Sequence, residues 1–251
     1  MDVLYFLKDR TQSSAQYYET AGEPFREIMR KIEAGEAPFD DIEFFPEDEP
    51  PFQAEWSQAN TSLEVLGRSC VSMLSASLKL YFQTWESELG IKWAGDDKER
   101  KKYFENGFVE GYKQCFGEVL KNSWADCPVD FDLLEQVTLA RNDGEHPDSI
   151  TTLDVQHKPK TRAKFPSLFF LSDTDRAMYS MHDFPINSWF FQPTVYVSRE
   201  QLLTAIEHVE LLGVWLEDRM SEARFPRRNS FALLVAKTRS KAVWLLPASF
   251  E

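Results

Sequence analysis

This chain of 251 residues has only four histidines, three cysteines and ten glycines, and its 28 Lys and Arg are outnumbered by 41 Asp and Glu. Each shortage excludes a class of function. Cys70, Cys115 and Cys127 are odd in number and follow no repeating spacing, so they outline neither a disulfide framework nor a zinc knuckle and read as reduced residues, two of them on apolar helix faces. The glycines form no Walker or dinucleotide loop, which argues against a nucleotide-driven motor or a dehydrogenase. No Glu stands three residues before any His, so the Glu-x-x-His pair of di-iron bundles is missing, and neither metal nor cofactor is expected. No Ser sits in a nucleophile elbow. No apolar run approaches the ~20 residues that span a bilayer, and the start, Met1 to Lys8, lacks the apolar core and cleavage site of a signal peptide. A cytoplasmic protein without membrane contact is expected. The formal charge of -13 opposes approach to a polyanion, because the background field repels it.

What is present is an apolar content of 43% with 14% aromatics, enough for a folded core. Trp56, Ala59, Leu63, Leu66, Cys70, Leu74, Leu78, Tyr81, Trp85 and Leu89 recur at spacings of three and four and predict one long helix of roughly 50 Å. After a loop at 90–97, Phe104, Phe108, Tyr112, Cys115 and Val119 trace a second stripe, expected to run antiparallel to the first. Residues 130 to 140 read as a third helix, acidic in its first turn, with Leu134, Val137 and Arg141 on one face. Ser198 and Gln201 form a capping box for a fourth, 199 to 220, whose stripe is Leu202, Ile206, Val209, Leu212, Gly213 and Leu216; His208 on it packs or faces solvent. The expected fold is mainly α: an antiparallel helical bundle with short irregular or β segments after residue 165, around Thr194 to Val197 and in the C-terminal tail.

Three zones follow. Residues 1–54 comprise a helix over 11 to 34, with Gly22 and Pro24 marking a kink or break, and an acidic linker arm. Positions 33 to 55 hold nine acids and four prolines without one Lys or Arg, as expected of a solvated loop or of an arm that embraces a second subunit or covers a basic groove. Residues 55–222 form the helical domain. Residues 223–251 make a basic tail with two apolar runs, Phe231 to Val235 and Ala242 to Leu246, read as short strands or as a segment docked on the bundle or a dimer mate. Lys158, Lys160, Arg162 and Lys164 form the dense basic run of the central region; such a run is usually a solvated face, yet it is also suited to neutralising phosphates.

The chemistry concentrates in Leu139-Ala140-Arg141-Asn142-Asp143-Gly144-Glu145-His146-Pro147. Arg141 brings a permanent cation with forked donors, and His146 an imidazole whose unperturbed pKa of ~6.5 lets it move protons near neutrality. Gly144 is expected to end the helix in a left-handed turn, and Pro147 to start another, so that Arg141, Asn142 and His146 converge across a helix break. On a continuous helix, positions five apart diverge by about 140°.

An Arg followed by Asn, with a His after four intervening residues, resembles the motif of the HEPN domains, and the resemblance covers about residues 55 to 160. It implies an all-helical dimeric module and, in many members, a metal-independent ribonuclease of the toxin or phage-defence kind. It further implies Arg141, Asn142 and His146 as catalytic residues, two copies of the motif facing each other across a homodimer, and RNA as substrate. Lys158, Lys160, Arg162 and Lys164 would then bind RNA, with an antitoxin or regulatory protein as a further partner. Arg176 and His182 also satisfy the bare spacing, but Ala177 follows the Arg and the surrounding chain reads as apolar segment and loop. Two alternatives stand beside this reading: a catalytically inactive HEPN-like binding or regulatory module, and an unrelated helical protein. In the latter, Arg141 pairs with Glu145 or Asp143 and His146 caps a helix.

Overall fold

The computed structural model describes residues 2–40, 50–92, 97–121, 124–145, 152–182 and 192–224. They form a mainly helical bundle: α1 (Val3–Ala34), α2 (Gln53–Glu88), α3 (Asp97–Tyr103), α4 (Phe108–Leu120), α5 (Phe131–Glu145), α6 (Pro159–Lys164), α7 (Asp173–His182) and α8 (Arg199–Arg224). No sheet is present among the described residues. A single antiparallel bridge joins Gln156 to Thr194, and Val195 N–H donates to Val155 O beside it. This is the extended segment expected around Thr194.

Helix α2 spans the predicted long stripe, and its buried residues Cys70, Leu74, Leu78, Tyr81 and Trp85 form the spine of the core. Its long antiparallel neighbour is α1, not the Phe104 stripe. Arg10 Nε donates to Ser77 Oγ at 3.2 Å and Ser14 Oγ to Cys70 O at 3.2 Å, while Trp56 Nε1 reaches back to Glu33. The expected second long helix is instead divided. Helix α3 ends at Tyr103, and the chain turns through Gly107 (φ 138°), where a Cβ would strike Glu135 Oε1 at 2.4 Å; α4 then starts at Phe108. Phe82 of α2 stacks on Tyr112 of α4 at 4.8 Å and meets Phe116 edge-on at 5.8 Å.

Helix α1 corrects two expectations. It begins at Val3, not at residue 11, with Asp2 as N-cap accepting Tyr5 N–H at 2.8 Å, and it runs without interruption through Gly22 and Pro24 to a left-handed Gly35. Its buried positions include Thr11, Ser14 and Gly22, which dilute the apolar period. Val3, Leu7 and Tyr18 belong to the same core cluster as α2, α5 and α8, so α1 is a structural member of the bundle.

Helix α8 packs on α1 and α2. Its stripe Leu202, Ile206, Val209, Leu212, Gly213 and Leu216 is buried as predicted, and the helix continues past Met220 to Arg224, which pairs with Glu88 at the end of α2. A Cβ on Gly213 would meet Leu7 Cδ2 at 2.7 Å, so the glycine permits the close approach of α1. The capping box is formed as read: Ser198 N–H donates to Gln201 Oε1 at 2.8 Å and Gln201 N–H to Ser198 Oγ at 3.1 Å. The same Gln201 amide donates to Phe169 O and Leu171 O, tying the 169–171 segment to α8. His208 Nδ1 accepts Asp130 N–H at 3.0 Å just before α5.

Candidate functional site

Helix α5 carries the motif, and its residues part according to the 100° advance per position. Leu133, Leu134, Val137 and Ala140 enter the core. Glu135, 5% exposed, faces α4: its two oxygens accept Phe108 N–H at 3.0 Å and Val109 N–H at 2.7 Å, satisfying orphan donors of that helix start. Gln136 accepts Phe169 N–H at 2.8 Å.

The break expected at Gly144 is not there. Helix α5 continues through Gly144 to Glu145, and Gly144 takes a helical conformation with open space around it in place of a left-handed terminator. The reason is local. Asp143 turns inward and accepts from the Lys158 backbone N–H at 3.5 Å, while Arg141 reaches Glu145 one turn ahead, so the last turn is held by side chains on two sides.

Arg141 is half-exposed. Its Nη2 lies 2.6 Å from Glu145 Oε2 and its Nη1 donates to Asn142 Oδ1 at 3.0 Å. Arg141 and Asn142 thus stand together on the outward side of the last turn. His146, the third motif residue, lies outside the described residues, as does Pro147. The second Arg-His match is placed on a helix and not in a loop: Arg176 is exposed on α7, whose last residue is His182.

The basic run divides. Lys158 stands 3.7 Å from buried Asp143, Lys160 is exposed, and Lys164 Nζ donates to Asn106 O and lies 3.7 Å from Glu135. Arg162 is buried at 6% exposure. It lies inside α6, near His157 and Tyr179; burial raises the Tyr179 phenol and the Arg162 charge offsets part of that, while the same charge adds to the lowering of His157. A continuous ridge of four solvated cations is therefore not what residues 158 to 164 present. Alternation along the sequence becomes, on a helix opening at Pro159, one residue turned inward and its neighbours outward.

His157 was missed as a structural element by sequence reasoning. It is 3% exposed and Nε2 donates to Phe170 O at 2.8 Å; burial first, then the Arg162 charge, pushes its pKa down to about 4 despite that bond. The ring is neutral and, together with Gln201, fastens the 169–171 segment.

That segment also forms one wall of a cleft of about 830 Å³, bounded by Asn60 and Glu64 of α2, Arg176 of α7, Tyr196, and Arg199 at the start of α8. Burial raises the Glu64 carboxyl above its ordinary range, offset by nearby Arg68. Three acids, Glu64, Asp173 and Glu200, line the cleft against two cations, Arg176 and Arg199, and Arg199 is engaged with Glu19. Such a balance selects neither an anion nor a cation. No sequence pattern singles these residues out, because they come from three separate stretches of the chain.

Cys70 and Cys115 are buried, with thiol pKa values pushed up to about 11 by desolvation, as befits packing groups. Among the described residues no helix is long and apolar enough to cross a membrane. Compared with protein-family models, curated proteins and solved structures, the chain has no match in any of the three.

Proposed function

We propose that this chain is a HEPN-type, metal-independent endoribonuclease of the toxin or phage-defence kind, acting as a symmetric homodimer. The supporting observation is that Arg141 and Asn142 stand side by side on the outward face of the last turn of α5, directly ahead of His146 in the sequence. In this reading a phosphate displaces Glu145 from the Arg141 guanidinium, exchanging one charge-assisted partner for another that can bind it in bidentate fashion. Asn142 orients the phosphate or the imidazole. One neutral His146 takes the proton from the ribose 2′-OH, the 2′-oxygen bonds to phosphorus, and the phosphorus to 5′-oxygen bond breaks as a protonated His146 from the second copy supplies a proton to the leaving oxygen. The products are a 2′,3′-cyclic phosphate and a 5′-OH, and no water is consumed. Lys158 and Lys160 contribute charge beside the site, and an antitoxin would act by covering Arg141.

The test is RNA cleavage in EDTA by the native chain, Arg141→Ala, His146→Ala and Glu145→Gln. Each of the first two substitutions should reduce cleavage by about 100-fold or more, and Glu145→Gln should raise it by freeing the guanidinium. Cleavage that needs a metal, or that survives both substitutions, removes the assignment.

A second reading, a non-catalytic HEPN-like binding or regulatory module, is favoured by two observations: Arg141 is already paired with Glu145 at 2.6 Å, and Arg162 is buried. It predicts RNA retention that Arg141→Ala weakens, with no cyclic phosphate formed.

A further inference from the structure

We propose that the basic C-terminal tail, residues 225–251, is the element that captures RNA for the Arg141 site. The inference rests on RNA as the substrate of the reading above and adds where on this acidic chain the polyanion is held. The tail lies outside the described residues, and its composition, set against the surface of the bundle, assigns it this part.

A strand of RNA needs a nearby cation for each phosphate it brings, and the described surface has few to give. Arg26 and Arg30 pair with acids of α1, Arg199 with Glu19, Arg219 with Asp126, Arg224 with Glu88 and Arg141 with Glu145. The central basic run is no better placed. Arg162 is buried, Lys164 is held between Asn106 O and Glu135, and Lys158 stands beside Asp143. Residues 1–224 hold 40 of the 41 acids and 23 of the 28 cations. The tail inverts that ratio, with Arg227, Arg228, Lys237, Arg239 and Lys241 against the single acid Glu251.

The tail's residue types suit a single strand. Phe225, Phe231 and Trp244 are interleaved with the cations and offer planar faces on which unpaired bases stack, and Asn229, Ser230 and Thr238 add donors for phosphate oxygens. An anionic lipid surface is the weaker partner, because a plane of headgroups would face the acidic bundle as well as the tail. Helix α8 sets the tail within reach of the site. His208 of α8 accepts Asp130 N–H just ahead of α5, whereas Gln136 of α5 and Gln201 of α8 both bond Phe169, so the two helices run in opposite senses. The last turn of α5 therefore lies toward the start of α8, about 39 Å from the root of the tail at Arg224 if measured by the 26 residues of α8. Lys241, seventeen residues past Arg224, reaches at most ~56 Å at about 3.3 Å per residue. The cationic run is long enough to hold a strand from the end of α8 as far as Arg141.

The test is the affinity of the full chain for a 2′-O-methylated oligouridylate of about 20 nucleotides, which has no 2′-OH to be cleaved, read by fluorescence anisotropy as salt is raised. With all five tail cations engaged, the slope of log affinity against log salt should approach about -3.5, so that binding weakens by about 100-fold between 50 and 200 mM salt. Changing the five together, Arg227→Gln, Arg228→Gln, Lys237→Gln, Arg239→Gln and Lys241→Gln, should flatten the slope and weaken binding at the lower salt by about 30-fold or more. Arg227→Lys, Arg228→Lys and Arg239→Lys together keep the charge and should keep the slope. Trp244→Ala should weaken binding by about 10-fold at an unchanged slope, as loss of a stacked base requires. A native chain that does not bind, a slope that survives the five Gln changes, or binding lost only with Lys158→Gln and Lys160→Gln overturns the proposal. So does binding of the native chain to phosphatidylserine vesicles that the five Gln changes abolish while RNA affinity stays the same. Binding and cleavage are separate readouts: an inactive chain that binds RNA through its tail leaves this inference standing and removes the ribonuclease, and cleavage unchanged by the five Gln changes does the reverse.

Discussion

Glu135 is the residue whose role is least visible from its neighbours in sequence. It lies in the middle of α5, yet its carboxylate completes the start of α4 through two backbone donors and faces Lys164. Glu135→Ala leaves both buried donors unsatisfied and should destabilise the fold by about 2–4 kcal/mol, with Glu135→Gln costing less because one acceptor is kept. Urea midpoints of the three proteins give the comparison; equal midpoints would mean that water replaces the carboxylate. His157 makes a pH-dependent contribution of definite sign. The folded imidazole protonates only near pH 4, while an unfolded one does so near ~6.5, so on acidification the unfolded state takes up the proton first. Stability should therefore fall as the pH drops from ~6.5 to 4 and level off below, with about 3 kcal/mol lost at full extent. In His157→Gln this part of the pH slope should be missing, and an unchanged slope would show that His157 is not held neutral.

Among the elements, α5 carries the sharpest consequence. Because Gly144 is helical and a Cβ there meets nothing within 4 Å, Gly144→Ala should raise stability by about 0.5–1 kcal/mol, read as an increase in melting temperature. Had Gly144 adopted the left-handed turn expected from sequence, the same change would lower it. The substitution tests helix continuity two residues before His146, and hence the direction in which the chain enters the rest of the motif. The start of α8 was legible for the opposite reason. Ser198 and Gln201 satisfy each other three residues apart, and a purely local interaction survives in any tertiary setting.

For the molecule as a whole, α1 acts as a full partner of α2 and α8. Thr11 bonds Glu210, Glu19 pairs with Arg199, and Leu7 packs at the Gly213 approach. Leu7 is 2% exposed, so Leu7→Ala should cost about 2–5 kcal/mol and lower a single cooperative unfolding transition. A detachable N-terminal helix would instead give an early, separate transition with the main one unmoved.

The sequence alone determined the helical class, the extent of α2, the buried stripe of α8 and its capping box, because each rests on a repeat or a contact within a few residues. It could not reveal the true start of α1, since Thr11, Ser14 and Gly22 are buried there for their size and hydrogen bonds rather than for hydrophobicity. Nor could it reveal that α5 passes through Gly144, or that Arg162 turns inward while Arg141 faces out. Those outcomes were decided by the tertiary structure. A glycine tolerates either backbone conformation, and an arginine either environment; the choice depends on what the neighbouring elements bring, here Lys158 against Asp143, Glu145 against Arg141, and His157 with Tyr179 around Arg162.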